Sequence, residues 1–238
     1  MPNGASVFVQ TARQLGLDTI FTLVGDHLNE VLAEAARAGM RIVDMRHESG
    51  VTHAADAWAR VHRRPALSLV TGGPSHTNSL TGVATANLAG SPLIAVSGSR
   101  ARSLADRQAF QDIDQVSMTR PVVKWAAEVP SASEIPFYLR RAYTEANTGR
   151  RGAVHLTIPV DVFTEECAAS VNARAGMAPA SFFAEFERVR PRRSSRHSCC
   201  LLPCMASTLP GASDIPESCH HQRLARISLA FGGLGRRD

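Results

Sequence analysis

Arg41-Ile42-Val43-Asp44-Met45 followed by Arg46-His47-Glu48-Ser49-Gly50 is the stretch from which the fold is read. Ile42, Val43 and Met45 make a short apolar strand. Val51, Ala54, Ala55 and Trp58 lie at helical spacing just beyond Gly50. Glu48 therefore falls where a strand ends and a helix begins, which in an open α/β sheet is the edge where ligands bind. Two readings of that carboxylate follow. It is either a first-turn acid on the helix dipole, or a partly desolvated group whose proton affinity is raised for chemistry.

Upstream, Phe8, Ala12 and Leu15 keep helical spacing and Gly16 stops the helix. Thr19–Val24 is a β-rich run. Gly25-Asp26 turns the chain, with Asp26 in position to cap a helix marked by Leu28, Val31, Leu32 and Ala35 and ended by Gly39. Downstream, Ala66–Val70 reads as a buried strand, and Thr71-Gly72-Gly73-Pro74 opens a helix with an apolar stripe of Leu80, Val83, Ala84 and Leu88. Leu93–Val96 is a further strand closed by Ser97-Gly98, and a polar loop covers 99–111. A short strand is expected over Pro121–Trp125. Ile135, Leu139, Ala142 and Ala146 mark the last helix, stopped by Gly149, before a final strand at Ala153–Ile158. Strands alternating with helices of this length predict an α/β fold, a doubly wound and mostly parallel sheet with helices on both faces.

The pattern ends near residue 170, so the expected division is a folded domain at 1–170 and an irregular segment at 171–238. The 26 basic and 21 acidic residues divide unevenly between them: up to Ser170 there are 16 of each, leaving ten basic and five acidic beyond. The folded part is neutral, which argues against a nucleic-acid face. The tail is rich in Arg, Ser, Cys and Pro, as a frameshifted or disordered segment would be. Phe182, Phe183 and Phe186 could anchor one short helix in it. The five cysteines are clustered late and odd in number, which is no disulfide framework, and Cys200, Cys204, Cys219 and His220 only loosely mimic zinc spacing. Met1–Ser6 lacks a signal-peptide pattern and no apolar run reaches membrane-spanning length, so a cytoplasmic location without membrane contact is expected. His27, His47, His53 and His76 fall near strand ends, where packing or capping is the commoner role, and no metal site is expected from them. Neither glycine turn is a phosphate-binding Walker loop or a dinucleotide fingerprint.

Taken together, several pieces resemble the N-terminal pyrimidine-binding domain of thiamine-diphosphate enzymes, in the group of acetolactate synthase, oxalyl-CoA decarboxylase and 2-hydroxyacyl-CoA lyase. They are Phe21–Asp26, Arg46–Gly50, Ala54–Arg60, Thr71–Asn78, Ser91–Ile94, Ala109–Asp112, Thr119–Lys124, Thr148–Val154 and Ile158–Val162, in the family's order. The resemblance implies that Glu48 is the cofactor-activating glutamate. A carboxyl group bonded to the pyrimidine ring nitrogen favours the imino form of the cofactor's amino group, which then deprotonates the thiazolium carbon. It further implies cofactor contacts from Gly25, Gly73, Pro74 and Asn78. Phe110 and Gln111 would lie on the substrate side, with Asp26 a looser match to an acid of the pyruvate decarboxylase branch.

The departures are specific. Ser75 stands where the family commonly has the second glycine of Gly-Pro-Gly. No Gly-Asp-Gly occurs, so the family's diphosphate-binding module, which holds Mg²⁺, is missing, as is its middle domain. The expectation is a truncated decarboxylase or carboligase that binds the pyrimidine half of thiamine diphosphate and is inactive alone. It would act as part of a homo-oligomer or beside a separate diphosphate-domain subunit, on a small 2-keto acid or 2-hydroxyacyl-CoA. The alternatives are the pyrimidine subunit of a two-subunit enzyme and a non-catalytic dimerisation domain. The latter would use the small residues Ala54, Ala55, Ala57 and Ala59 for close helix packing.

Overall fold

Six short runs form strands because their side chains satisfy two faces at once. They are β1 (Thr19–Thr22), β2 (Arg41–Asp44), β3 (Ala66–Val70), β4 (Leu93–Ser99), β5 (Trp125–Glu128) and β6 (Ala153–Pro159). In the computed structural model, which describes residues 2–167, they make one sheet in the order β2-β1-β3-β4-β6-β5, every pair parallel. The helices between them are α1 (Gly4–Gln14), α2 (Asn29–Arg37), α3 (Glu48–His62), α4 (Pro74–Ala89), α5 (Gln115–Thr119), α6 (Ile135–Asn147) and α7 (Val160–Thr164).

The period-two alternation sends each strand's residues to separate cores. Ile20, Leu67, Leu69, Ile94, Val96, Val154, Leu156 and Ile158 point to one face, where Phe8, Val31, Leu139 and Phe163 cover them. Phe21, Ala66, Val70, Leu93, Ala95 and Ala153 point to the other, under Val51, Ala55 and Ala59 of α3 and Val83 and Ala86 of α4. Truncating a fully buried leucine such as Leu67 would cost about 2–5 kcal/mol. The second face turns polar toward its carboxyl end. Ser97, Ser99, His155 and Thr157 share the parity of the apolar residues there and are buried.

Several sequence expectations change in detail. β1 stops at Thr22, leaving Val24 largely exposed, and β4 runs on to Ser99. The strand expected over Pro121–Trp125 begins only at Trp125, because a 3₁₀ turn occupies Arg120–Val122. Asp26 is not a helix cap. It is the first residue of a 3₁₀ turn, Asp26–Leu28, that Gly25 precedes without a side-chain cap. The buried stripe of α4 is Ser75, His76, Ser79, Gly82, Val83 and Ala86, while Leu88 is exposed. The stripe shifts because α4 crosses α3 too closely for large residues. A Cβ on Gly82 would fall on Thr52 of α3, whose hydroxyl donates to the Ser79 carbonyl at 3.0 Å. Ala55 and Ala59 pack into the molecule's own core. The segment 171–238, with Cys199, Cys200, Cys204 and Cys219 and with Phe182, Phe183 and Phe186, lies outside the described residues.

Candidate functional site

The chain leaves β1 in one direction along the sheet and β3 in the other, so a topological switch point opens between those neighbouring strands. Three connections meet at its carboxyl edge: the turn after β1 at Gly25, the turn after β3 at Thr71–Pro74, and the start of α3 after β2. Backbone approach there is close. A Cβ on Gly25 would lie 2.8 Å from Thr71 Cβ, and one on Gly72 would lie 2.8 Å from the Gly98 carbonyl oxygen. His27 ties the first two turns together: its Nδ1 accepts from the Gly72 N–H at 3.1 Å and lies 2.9 Å from Thr71 Oγ1. Nδ1 must be unprotonated to accept. Burial, only partly offset by Asp26, holds the His27 pKa below its ordinary value.

Glu48 is the first residue of α3. His47 caps that helix, its Nδ1 accepting from the Ser49 N–H at 3.1 Å. Asn78, one turn into α4, donates from Nδ2 to Glu48 Oε2 at 3.0 Å, which joins the two helix starts across the edge. The carboxylate is half-buried. Desolvation is the largest single influence on it and pushes its pKa up. Its own backbone N–H, the Ser75 hydroxyl, the Asn78 amide and His47 together outweigh that and leave the pKa below the ordinary carboxylate range. Of the two readings of this carboxylate, the direction of the shift favours the first-turn acid stabilised at the helix start, and Ser75 and Asn78 on a facing helix add donors that local sequence does not reveal. Ser75 Oγ is buried and makes no hydrogen bond of ordinary geometry, although its hydroxyl contributes to the lowering.

Gly73 has φ +61° and ψ −121°, a backbone state that glycine alone adopts readily. Its position is set by the loop after β4: a Cβ there would lie 2.8 Å from Gln111 Cβ. Pro74 occupies the first helical position of α4 and is exposed. Gln111 packs on the turn in a left-handed conformation (φ +61°), whereas Phe110 is 78% exposed and touches none of the other site residues by hydrogen bond or ring contact. Of the residues singled out from sequence, Gly25, Glu48, Gly73, Pro74, Asn78 and Gln111 come together at one edge. Asp26 lies beside Gly25, and Phe110 stands apart in solvent.

Sequence reading missed Gln115. It begins α5, is almost wholly buried, and its carboxamide accepts from the Gly73 N–H at 3.1 Å and donates to the Gly98 carbonyl at 3.1 Å. Asp114 caps α5 by accepting from the Ser117 N–H at 2.9 Å. That Asp-x-x-Ser spacing was the available signal for a helix between the polar loop and the expected strand. Also missed was a buried chain of polar groups under α4. Thr119 Oγ1 donates to the Gln115 carbonyl at 2.7 Å, so its oxygen accepts from His76 Nε2 at 2.9 Å. His76 Nδ1 then accepts from Ser97 Oγ at 2.8 Å, and Ser97 accepts from His155 Nε2 at 3.2 Å. Burial pushes the His76 pKa down to about 4, and burial followed by His76 itself holds His155 well below its ordinary value. Among the described residues no group of three or more His, Cys, Asp or Glu side chains could hold a metal ion. No described helix is long and apolar enough to cross a membrane.

A parallel sheet with a carboxylate and two glycine turns at its switch point defines a class that comparison with known proteins makes specific. Residues 2–118 match the family described as thiamine pyrophosphate enzyme, N-terminal TPP binding domain. Residues 2–118 therefore carry the N-terminal domain of the thiamine pyrophosphate enzymes. Curated relatives of the chain include 2-hydroxyacyl-CoA lyases and acetolactate synthases. It is 39% identical over 159 residues to 2-hydroxyacyl-CoA lyase 2 of Danio rerio, a match covering 67% of this chain and 26% of the relative. The human 2-hydroxyacyl-CoA lyase 2 is 38% identical over 160 residues, covering 67% and 25%. An acetolactate synthase large subunit of Buchnera aphidicola is 34% identical over 161 residues, covering 67% and 28%. The crystal structure of benzoylformate decarboxylase from Polynucleobacter necessarius shares the fold. Its TM-score is 0.69 at 22% identity, over 79% of this chain and 36% of that one. The chain spans about a quarter of the length of the curated relatives it matches.

Proposed function

We propose that this chain supplies the pyrimidine-binding half of a thiamine-diphosphate enzyme that cleaves or joins a carbon–carbon bond next to a carbonyl. Its substrate would be a 2-keto acid or a 2-hydroxyacyl-CoA, as the names of its relatives suggest. The observation that carries the reading is the Glu48 carboxylate held by Asn78 at the switch-point edge beside the Gly73–Pro74 turn. A carboxylate offers about four acceptor sites, so Asn78 and the helix terminus leave capacity for a ring nitrogen. The buried, unpaired Ser75 hydroxyl is a further polar group beside it. These residues fit a flat, nitrogen-bearing ring. Bound thiamine diphosphate would supply the carbon nucleophile. Glu48 would hold a proton at the ring nitrogen, Asn78 would orient the carboxylate, and Gly73 and Pro74 would pack against the ring's flank.

Ionised Glu48 favours a protonated ring nitrogen, since a proton shared between the two is stabilised by the opposite charge it leaves behind. The diphosphate and its Mg²⁺ would be held by a Gly-Asp-Gly module outside these 238 residues, in a partner subunit or in further chain. Calorimetric titration of the full chain with thiamine diphosphate should show binding that Glu48→Ala abolishes. Decarboxylation or carboligation should appear only when a diphosphate-binding partner is added. Robust turnover by the purified chain alone, or binding indifferent to Glu48→Ala, would overturn the proposal. The dimerisation-domain reading is less favoured, because Ala55 and Ala59 are used inside the chain's own core.

A further inference from the structure

We infer that Gln115 is the positioning residue of this site: a buried carboxamide that seats the start of α4, and through it Asn78, against Glu48. The inference rests on the thiamine-diphosphate reading for its functional consequence, but its geometry stands independently. α4 begins without a side-chain cap, because Gly73 has none and Pro74 carries no N–H. The Gly73 N–H points into the molecule and finds Gln115 Oε1 at 3.1 Å. The same amide donates from Nε2 to the Gly98 carbonyl at 3.1 Å and reaches Thr157 Oγ1 at 3.4 Å. One planar group thus ties the turn after β3 to the ends of β4 and β6.

The backbone of Gln115 adds a second latch. Its carbonyl accepts from Thr119, whose oxygen meets His76 of α4. α4 is held at Gly73 and at His76, bracketing Pro74 and Ser75 and fixing the first turn that leads to Asn78. No other uncharged side chain of this length offers an acceptor for Gly73 and a donor for Gly98 together. A leucine of similar size would leave both backbone groups buried and unpaired. Relief would come from a shift of the α4 start, and the Asn78–Glu48 bond is the contact in the site that such a shift loosens.

The test is the titration of Glu48 in the full chain, followed by carboxyl-carbon NMR, in wild type, Gln115→Leu and Gln115→Asn. Asn keeps the amide one methylene short and disturbs folding less. Leu139→Ala, in the core on the opposite sheet face, is the stability control. If Gln115 positions the site, the Glu48 pKa rises toward the ordinary carboxylate value in both Gln115 variants and stays put in the control. Thiamine diphosphate binding then weakens by about tenfold, the equivalent of one lost hydrogen bond. Glu48 titrating as in wild type in both variants would overturn the inference, as would an equal shift in Leu139→Ala. Should the wild-type chain bind no thiamine diphosphate, the functional reading fails while the Glu48 titration still decides the role of Gln115.

Discussion

Lowering the pH from 7 to 5 should destabilise this domain through its two buried histidines, before its carboxylates contribute. His76 is 1% exposed and held as a neutral ring between Ser97 and Thr119, with a pKa of about 4 against an ordinary value near 6.5. The sign follows from which state takes the proton first. Below pH 6.5 the unfolded chain binds a proton at this position and the folded chain does not, so stability falls with pH and levels off only near pH 4. A difference of 2.5 units at about 1.4 kcal/mol each amounts to roughly 3 kcal/mol, of which about 2 kcal/mol is lost by pH 5. His155, packed 4.7 Å from His76 ring to ring, with its Nδ1 unpaired, adds a loss of the same sign. His27 does likewise to a lesser degree. Glu48 and Asp114, whose pKa values are lowered, act in a different window. Their stabilisation is complete above the ordinary carboxylate pKa and is lost only as pH falls beneath it.

Urea unfolding at half-unit steps from pH 7.5 to 5 measures the slope. Histidine C2-proton NMR assigns it, and His76→Gln, uncharged throughout, removes His76's share. Stability unchanged between pH 6.5 and 5, or a His76 resonance titrating near 6.5, would refute the reasoning.

Other perturbations have equally definite outcomes. Gly73→Ala forces a left-handed φ on a residue with a side chain and drives its Cβ onto Gln111. Urea unfolding should show a loss of about 1–3 kcal/mol, together with weakened thiamine diphosphate binding. Arg63 caps the end of α3 at φ +55°, so Arg63→Gly should raise stability by about 0.5–1 kcal/mol, read as an increase in Tm. Arg102 straps the loop after β4 to Asp161 (2.7 Å), Glu165 (2.8 Å) and the Pro130 carbonyl (2.6 Å). It is partly exposed, so solvent screening limits its worth to about 1–2 kcal/mol. Arg102→Ala should accordingly speed limited proteolysis between residues 102 and 112 more than it lowers Tm.

The local rules are legible in the sequence. Period-two apolar runs at Ala66–Val70 and Ala153–Ile158 are strands because alternate residues must reach two cores. Gly16, Gly39, Gly90 and Gly149 end helices in left-handed conformations that other residues resist. Glu48 could be placed at a strand-to-helix junction for the same reason: that junction is a property of contiguous residues. The resemblance of the quoted motifs to thiamine-diphosphate enzymes extended this to the cofactor class, and the domain matched over residues 2–118 agrees with it.

What lay beyond reach were the contacts between segments far apart in the chain. Asn78 meets Glu48 across 30 residues, Gln115 meets Gly73 across 42, and His27 meets Gly72 across 45. Each is a hydrogen bond whose existence depends on how the helices cross the sheet, which local propensity does not encode. The buried face of α4 was misjudged for that reason, since Thr52 of α3 decides which residues of α4 can face it. The balance at Glu48 is partly of this kind. Burial, which the sequence suggests, raises the pKa, while the helix's own first N–H, then Ser75 and Asn78 on another helix, and His47 together lower it by more. The order of secondary structure was thus written in neighbouring residues, while the aim of the central carboxylate, and part of what holds its charge, came from distant ones because they meet it only once the helices are packed.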